Sequence, residues 1–170
     1  MKKALFIGGT GTISTAISKR IAQSDEWELY VLNRGSRNNI LPSNVHSIVV
    51  NDVNDEAEVT KALNGLSFDC VCDFICFVPS QIERDYRIFK GITKQFMFIS
   101  SASAYQKPLR NYVINEGTPL ANPYWQYSRD KIACEDFLMK KYREEQFPIT
   151  IIRPSHTYDE RSVPLGVHGN

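Results

Sequence analysis

Apolar residues in this chain come in short dense runs, separated by stretches where they recur every three or four positions. Lys3–Ile7 (KALFI) is a run closed by glycine and predicts a first strand. Thr12–Gln23 follows with Ile13, Ala16, Ile17, Arg20 and Ile21 at helical spacing, an amphipathic helix. Five more strands are predicted at Glu28–Leu32 (ELYVL), Val45–Val50 (VHSIVV), Asp69–Ile75, Gln95–Ile99 (QFMFI) and Ile149–Ile152 (ITII). Helices are predicted between them at Asp55–Leu63, Gln81–Lys90 and Tyr124–Arg143, the first with Val59, Ala62 and Leu63 on one face. Strands that alternate with helices argue for a parallel sheet with helices on both faces. Continuous apolar runs such as VHSIVV and QFMFI suit strands buried on both sides. Ser155–Asn170 has Pro and Gly, few apolar residues and no closing element.

Bulk composition narrows the class without naming a function. The 170 residues suffice for one domain with a substantial core, and 42% of them are hydrophobic. A net charge of +1 gives no reason to expect nucleic acid or an acidic membrane surface as partner. No apolar run approaches the ~18 residues of a membrane span. The opening MKKALFIGG has two lysines, but its apolar run is only Ala4 to Ile7, short of the ~7–15 residues of a signal peptide. It reads as the first strand of a cytoplasmic protein.

Four cysteines are present, three of them in FDCVCDFICF (Cys70, Cys72, Cys76) and the fourth at Cys134. C-x-C-x3-C is not a zinc spacing and no histidine is near, so the cysteines read as small apolar core residues and no metal is expected. Free thiols suit a reducing compartment. His46, His156 and His168 have no partner at metal spacing. Phe96 and Phe98 read as core, and Glu116 as a solvated loop carboxylate.

Chemistry concentrates in three places. GGTGTIS, from Gly8 to Ser14, lies between a strand and a helix. There Gly8 permits a tight turn, Gly11 lets backbone approach a pyrophosphate, and the N–H groups at Thr12 and Ile13 open the helix toward an anion. Ser14 stands where a third glycine is usual, which weakens the close helix–strand packing. After the second strand, LNRGSR supplies Asn33, Arg34 and Arg37 but no carboxylate for a ribose 2′-hydroxyl. Two guanidinium groups there favour a 2′-phosphate, hence NADP, modestly over NAD. Downstream, FMFISSASAY puts Ser100, Ser101 and Ser103 just past a strand, and Tyr127 and Lys131 stand four apart on the long helix. At that spacing both side chains share one face. A neighbouring ammonium lowers the proton affinity of a phenol, so Lys131 is expected to tune Tyr127 as acid/base for a substrate hydroxyl while hydride moves to or from a nicotinamide. Ser101 would polarise the same oxygen.

Together these motifs resemble the extended short-chain dehydrogenase/reductase superfamily, in an atypical form of its NAD(P)-dependent epimerase/dehydratase branch, over nearly the whole chain. The opening T-G-x-x-G-x-x-G corresponds to IGGTGTIS, the adenine-contacting pair to Asp52-Val53, and the serine motif to Ser100–Tyr105 with Ser101 as catalytic serine. Y-x3-K is Tyr127–Lys131, and the R-P segment bordering nicotinamide and substrate is Arg153-Pro154 with Tyr158. The resemblance implies an α/β Rossmann-type doubly wound sheet of strand order 3-2-1-4-5-6. It implies residues 1–154 as the NAD(P)-binding domain with the catalytic Ser/Tyr/Lys. Residues 155–170 would start a substrate-binding region that is largely missing, since members are usually much longer.

The implied activity is reversible hydride transfer on a nucleotide-sugar-like or other hydroxyl/carbonyl substrate, by an enzyme that often dimerises. Departures are Phe74-Ile75-Cys76-Phe77 in place of small residues beside the cofactor, and Ala102 and Ser103 where dehydratases carry Asp-Glu. The second departure disfavours sugar dehydration. A rival reading is a non-catalytic cofactor-sensing or RNA-associated module of the same fold.

Overall fold

The structure, a computed structural model, describes residues 1–159. His168 and the other residues beyond 159, where most of the expected substrate region would start, lie outside the described residues. Six parallel strands form one sheet: β1 (Lys2–Ile7), β2 (Trp27–Asn33), β3 (His46–Val49), β4 (Cys70–Asp73), β5 (Phe96–Ile99) and β6 (Ile149–Ile152). Their order is β3-β2-β1-β4-β5-β6, the expected doubly wound topology. Four helices connect them: α1 (Thr12–Ala22), α2 (Glu56–Ala62), α3 (Pro79–Phe89) and α4 (Gln126–Glu145).

The two faces of the sheet follow from the period-2 alternation of its strands. Leu5 and Ile7 of β1 point into a large core with Val71, Ile82, Phe89, Phe96, Phe98, Cys134 and Leu138, beneath α2, α3 and α4. Ala4 and Phe6 point the other way, into a smaller cluster with Leu29, Val31, Cys72 and Ile99 that α1 covers through Ile13 and Ile21. The four cysteines are free and buried, as expected of small apolar residues. No helix among the described residues is long and apolar enough to cross a membrane.

Four boundaries and faces differ from the sequence expectation, each for a local reason. VHSIVV is not buried on both sides. It forms an edge strand paired only to β2, and Val49 is 58% exposed, because a loop with one short 3-10 turn replaces a covering helix before it. The fully buried residues of α1 are Ser14 and Ser18, while Ile13 and Ile21 of the isoleucine stripe are only partly buried against the sheet and Ile17 is 39% exposed. β4 stops at Asp73, not Ile75, because the Asp73 carboxylate accepts the N–H groups of Ile75 and Cys76 and turns the chain. α3 starts at Pro79, two residues early, with proline at its first position where the missing N–H costs nothing.

Candidate active site

The glycine turn lies where the sheet changes winding direction, between β1 and its two neighbours β2 and β4. Ligands of open α/β sheets bind outside the strand ends at such a point. Gly8 has φ +80, and a Cβ there would stand 2.5 Å from Cγ2 of Ile75 in the loop after β4. The two loops therefore interlock, and only glycine fits. Ser14 is fully engaged: its Oγ donates to Gly8 O (2.7 Å) and accepts the Gly11 N–H (2.8 Å). Ser18 Oγ donates to Gly9 O at 2.8 Å. The helix is thus bonded to the turn rather than merely packed on it. The first N–H groups of α1, at Thr12 and Ile13, have no earlier turn to bond and point out of its N-terminus.

A hollow of about 570 Å³ runs from this turn across the ends of β2 and β3. Gly8, Gly11, Asn33, Arg34, Arg37, Asp52 and Val53 line it, so seven of the predicted cofactor residues meet there. Asn33 is occupied in its own turn: its Oδ1 accepts the Gly35 N–H and its Nδ2 donates to Asn38. Arg34 and Arg37 are the cationic groups of this rim, and neither pairs with an acid among the described residues. Asp52 Oδ1 accepts both N–H donors of Asn54 and so shapes the loop after β3.

A second hollow, about 600 Å³, adjoins the first and shares Phe77 with it. Ile13, Ser101, Tyr127, Lys131 and Pro154 line it, so the predicted serine, tyrosine and lysine come together. Thr12 and Arg153 are not among the lining residues of either hollow. Tyr127 stands between Trp125 (ring centroids 4.8 Å) and Phe77 (6.4 Å), with Ser101 lining the same hollow. Burial pushes its proton affinity above the ordinary tyrosine value, with the Ser101 contact opposing it.

Lys131, expected to tune Tyr127, has its ammonium engaged by backbone carbonyls. Lys131 is 2% exposed, and its Nζ donates to Cys76 O (2.6 Å) and Ile99 O (2.8 Å). The ammonium is bound to carbonyls at the ends of β4 and β5, with its Nζ 5.6 Å from the Tyr127 ring centroid. Burial holds Lys131 itself below the usual lysine value.

Several structural members of the site went unread in the sequence. Glu135, one turn beyond Lys131, is 2% exposed. It accepts Ser100 Oγ and three bonds from Arg153, the shortest at 2.6 Å from Nη2. Arg153 also reaches Tyr105 OH at 3.3 Å, so the arginine of the R-P motif ties β6 to α4 instead of reaching toward the hollow. The spacing Tyr127–Lys131–Glu135 was the signal available for Glu135. Asp73, Arg84 and Asp85 form a second buried charged group behind Lys131, for which no spacing gave a sign.

The family model for the NAD dependent epimerase/dehydratase family matches residues 4–167. No curated protein matches the sequence significantly. Among solved structures, UDP-glucose 4-epimerase from Bifidobacterium longum, in complex with NAD+ and UDP, is similar at TM-score 0.76 and 20% identity, over 89% of this chain and 52% of that one. dTDP-glucose 4,6-dehydratase from Bacillus anthracis, in complex with NAD, is similar at TM-score 0.77 and 17% identity, over 90% and 54%. UDP-glucuronic acid 4-epimerase from Bacillus cereus, in complex with UDP-glucuronic acid and NAD, gives 0.71 and 15%, over 89% and 55%. The chain spans about half the length of these structures. At such identity the likeness concerns the fold.

Proposed function

The chain belongs to the NAD dependent epimerase/dehydratase family, and from that premise we propose that it binds NAD(P) across the two hollows and performs reversible hydride transfer at a hydroxyl/carbonyl carbon of a nucleotide-sugar-like substrate. The observation that carries this reading is the meeting of Ser101, Tyr127 and Lys131 in one hollow that adjoins the glycine-turn hollow at Phe77. The donor set suits the cofactor. Gly8 and Gly11 of the turn and the N–H of Ile13 would face a pyrophosphate, Asp52 and Val53 would border an adenine site, and Arg34 and Arg37 offer cationic forks to a 2′-phosphate. That last feature supports NADP over NAD.

A bound nicotinamide would supply the hydride acceptor and donor. Tyr127 takes the proton of the substrate hydroxyl and gives it back, with Ser101 donating its O–H to the same oxygen. Lys131 has a third N–H beyond its two carbonyl bonds and can hold a ribose hydroxyl while keeping positive charge beneath the phenol. Its two carbonyl bonds fix that charge relative to β4 and β5. Residues 102 and 103 are Ala and Ser, and the Ser103 hydroxyl already accepts from Ser128 at 2.9 Å, so no carboxyl stands there to eliminate water. The reading is therefore epimerisation or alcohol/carbonyl redox.

The test is Tyr127→Phe, assayed for turnover and for cofactor affinity together. Turnover is expected to fall by roughly 10²–10⁴-fold, the range of a lost acid/base group, with affinity nearly unchanged. Because burial raises the phenol, the wild-type alcohol-oxidising rate is expected to climb with pH through the alkaline range, and the residual rate of the variant to lose that climb. Full activity in Tyr127→Phe would remove the tyrosine from the mechanism.

A further inference from the structure

Among the described residues, two buried side-chain atoms have no hydrogen-bond partner: Oδ2 of Asp73 and Oδ2 of Asp85. They belong to one cluster. A carboxylate oxygen of each, with Sγ of Cys76, lies within 4.8 Å of the others, and the two aspartates are 0% and 1% exposed. Their other oxygens are well bonded. Asp73 Oδ1 accepts the N–H groups of Ile75 (2.7 Å) and Cys76 (3.0 Å). Asp85 Oδ1 accepts Nε (2.9 Å) and Nη2 (2.6 Å) of Arg84. Two carboxylates this close and this dry cannot both stay ionised with nothing between them.

The missing element is a proton or a metal cation, and the surroundings favour the proton. Two cations already flank the pair: Arg84 on Asp85, and Lys131 on the carbonyl of Cys76. A metal would add a third positive centre beside these two in a buried cluster. We propose that Asp73 and Asp85 share a single proton between their Oδ2 atoms, and that this pair is a positioning element for the loop on which Lys131 hangs. Each Oδ1 keeps its donors, and the two orphan atoms satisfy each other. The bond joins the end of β4 to α3. It holds residues 74–78 so that the Cys76 carbonyl meets Nζ of Lys131.

Among the described residues, the charged and titratable groups facing the pair come from β4 and its following loop, α3 and α4. β4 contributes Asp73 itself and the following loop contributes Cys76. α3 contributes Arg84 and Asp85, and α4 contributes Lys131 and Cys134, with Glu135 acting on Lys131. Burial and Asp73 together raise Asp85 well above the ordinary carboxyl value, and Arg84 offsets this only in part. The shared proton is one that the unfolded chain has released at neutral pH. Stability contributed by that proton declines as pH rises above the ordinary carboxylate range.

The shared proton does not depend on the proposed function, which bears only on why Lys131 matters, so the test uses the ligand-free chain. Infrared spectra at neutral pH are expected to show the carbonyl stretch of a protonated carboxylic acid, absent in Asp85→Asn and in Asp73→Asn. In either single variant an amide N–H replaces the shared proton, so Lys131 stays shielded from an amine-acylating reagent. The decline of stability with pH flattens. In Asp85→Ala, and in the double Asn variant where two amides face N–H to N–H, Lys131 acylation is expected to speed up at least tenfold. No acid band in the wild type, one bound metal per chain by elemental analysis, or equal shielding in Asp85→Ala and Asp85→Asn would each overturn the proposal. Should Asp85→Ala not fold, the spectra of the wild type and the two Asn variants decide it.

Discussion

Ser14 shows how far a single letter can be read. In the sequence it stands where a glycine is usual and suggests a loosened turn. In the structure its hydroxyl closes the turn, bonding Gly8 O and the Gly11 N–H at 2.7 and 2.8 Å. Ser14→Ala removes both bonds from a part-buried turn, and a loss of about 1–2 kcal/mol in urea unfolding is expected. Ser14→Gly is expected to cost a few tenths more, since glycine is also the poorer helix former. A glycine variant more stable than wild type would show that close packing, not the bonds, governs this turn. The residue type was legible; its partners were not, because Gly8 O turns toward Ser14 only once the turn has formed. The same holds for Arg153, whose motif suggested a cofactor neighbour and whose guanidinium is bonded to Glu135.

Individual elements were largely legible, and their faces less so. The long helix was predicted as Tyr124–Arg143 and runs Gln126–Glu145, because its four-residue spacing is a property of the sequence alone. Down one side it presents Tyr127, Lys131 and Glu135, and the last two are buried. Glu135 joins α4 to Ser100 after β5 and to Arg153 after β6. Glu135→Ala would strand a guanidinium that is itself largely enclosed, so a loss of roughly 3 kcal/mol in denaturant unfolding is expected. Glu135→Gln should recover part of it by keeping the acceptor oxygen. An unchanged midpoint in Glu135→Ala would mean that α4 docks through its apolar residues alone. α1 makes the converse case. Its isoleucine spacing gave the helix and, through Ile13 and Ile21, part of its inner face, but not the fully buried serines bonded to Gly8 O and Gly9 O.

At the scale of the molecule, the two hollows meet at the switch point of a sheet whose halves wind in opposite directions. A ligand spanning them touches the ends of β1, β2 and β3 on one side and the loops after β4 and β5 on the other. Binding to the folded chain alone must raise its stability, by about 2.7 kcal/mol at a ligand concentration 100 times Kd. Thermal unfolding is therefore expected to shift upward with NAD(P), and further with NADP than with NAD at equal concentration. Arg34→Ala with Arg37→Ala should erase that difference, and added salt should weaken NADP binding more than NAD binding. An equal shift with both cofactors in the wild type would remove the 2′-phosphate role from these arginines.

What the sequence determined by itself is what short-range spacing controls. Strand and helix order, the parallel sheet they argue for, the glycine turn, and the placement of Tyr127 and Lys131 on one helix face all follow from local pattern, while the order of strands within the sheet came from the family resemblance. What only the tertiary structure decided is where the hydrogen bonds of those side chains go. Lys131 is 55 residues from Cys76 and 32 from Ile99, yet its ammonium is bound to both their carbonyls. Asp73 and Asp85 leave one orphan oxygen apiece, brought together only by α3 packing against β4. Partners so distant in sequence carry no local pattern, because burial and desolvation act on whatever the fold happens to enclose.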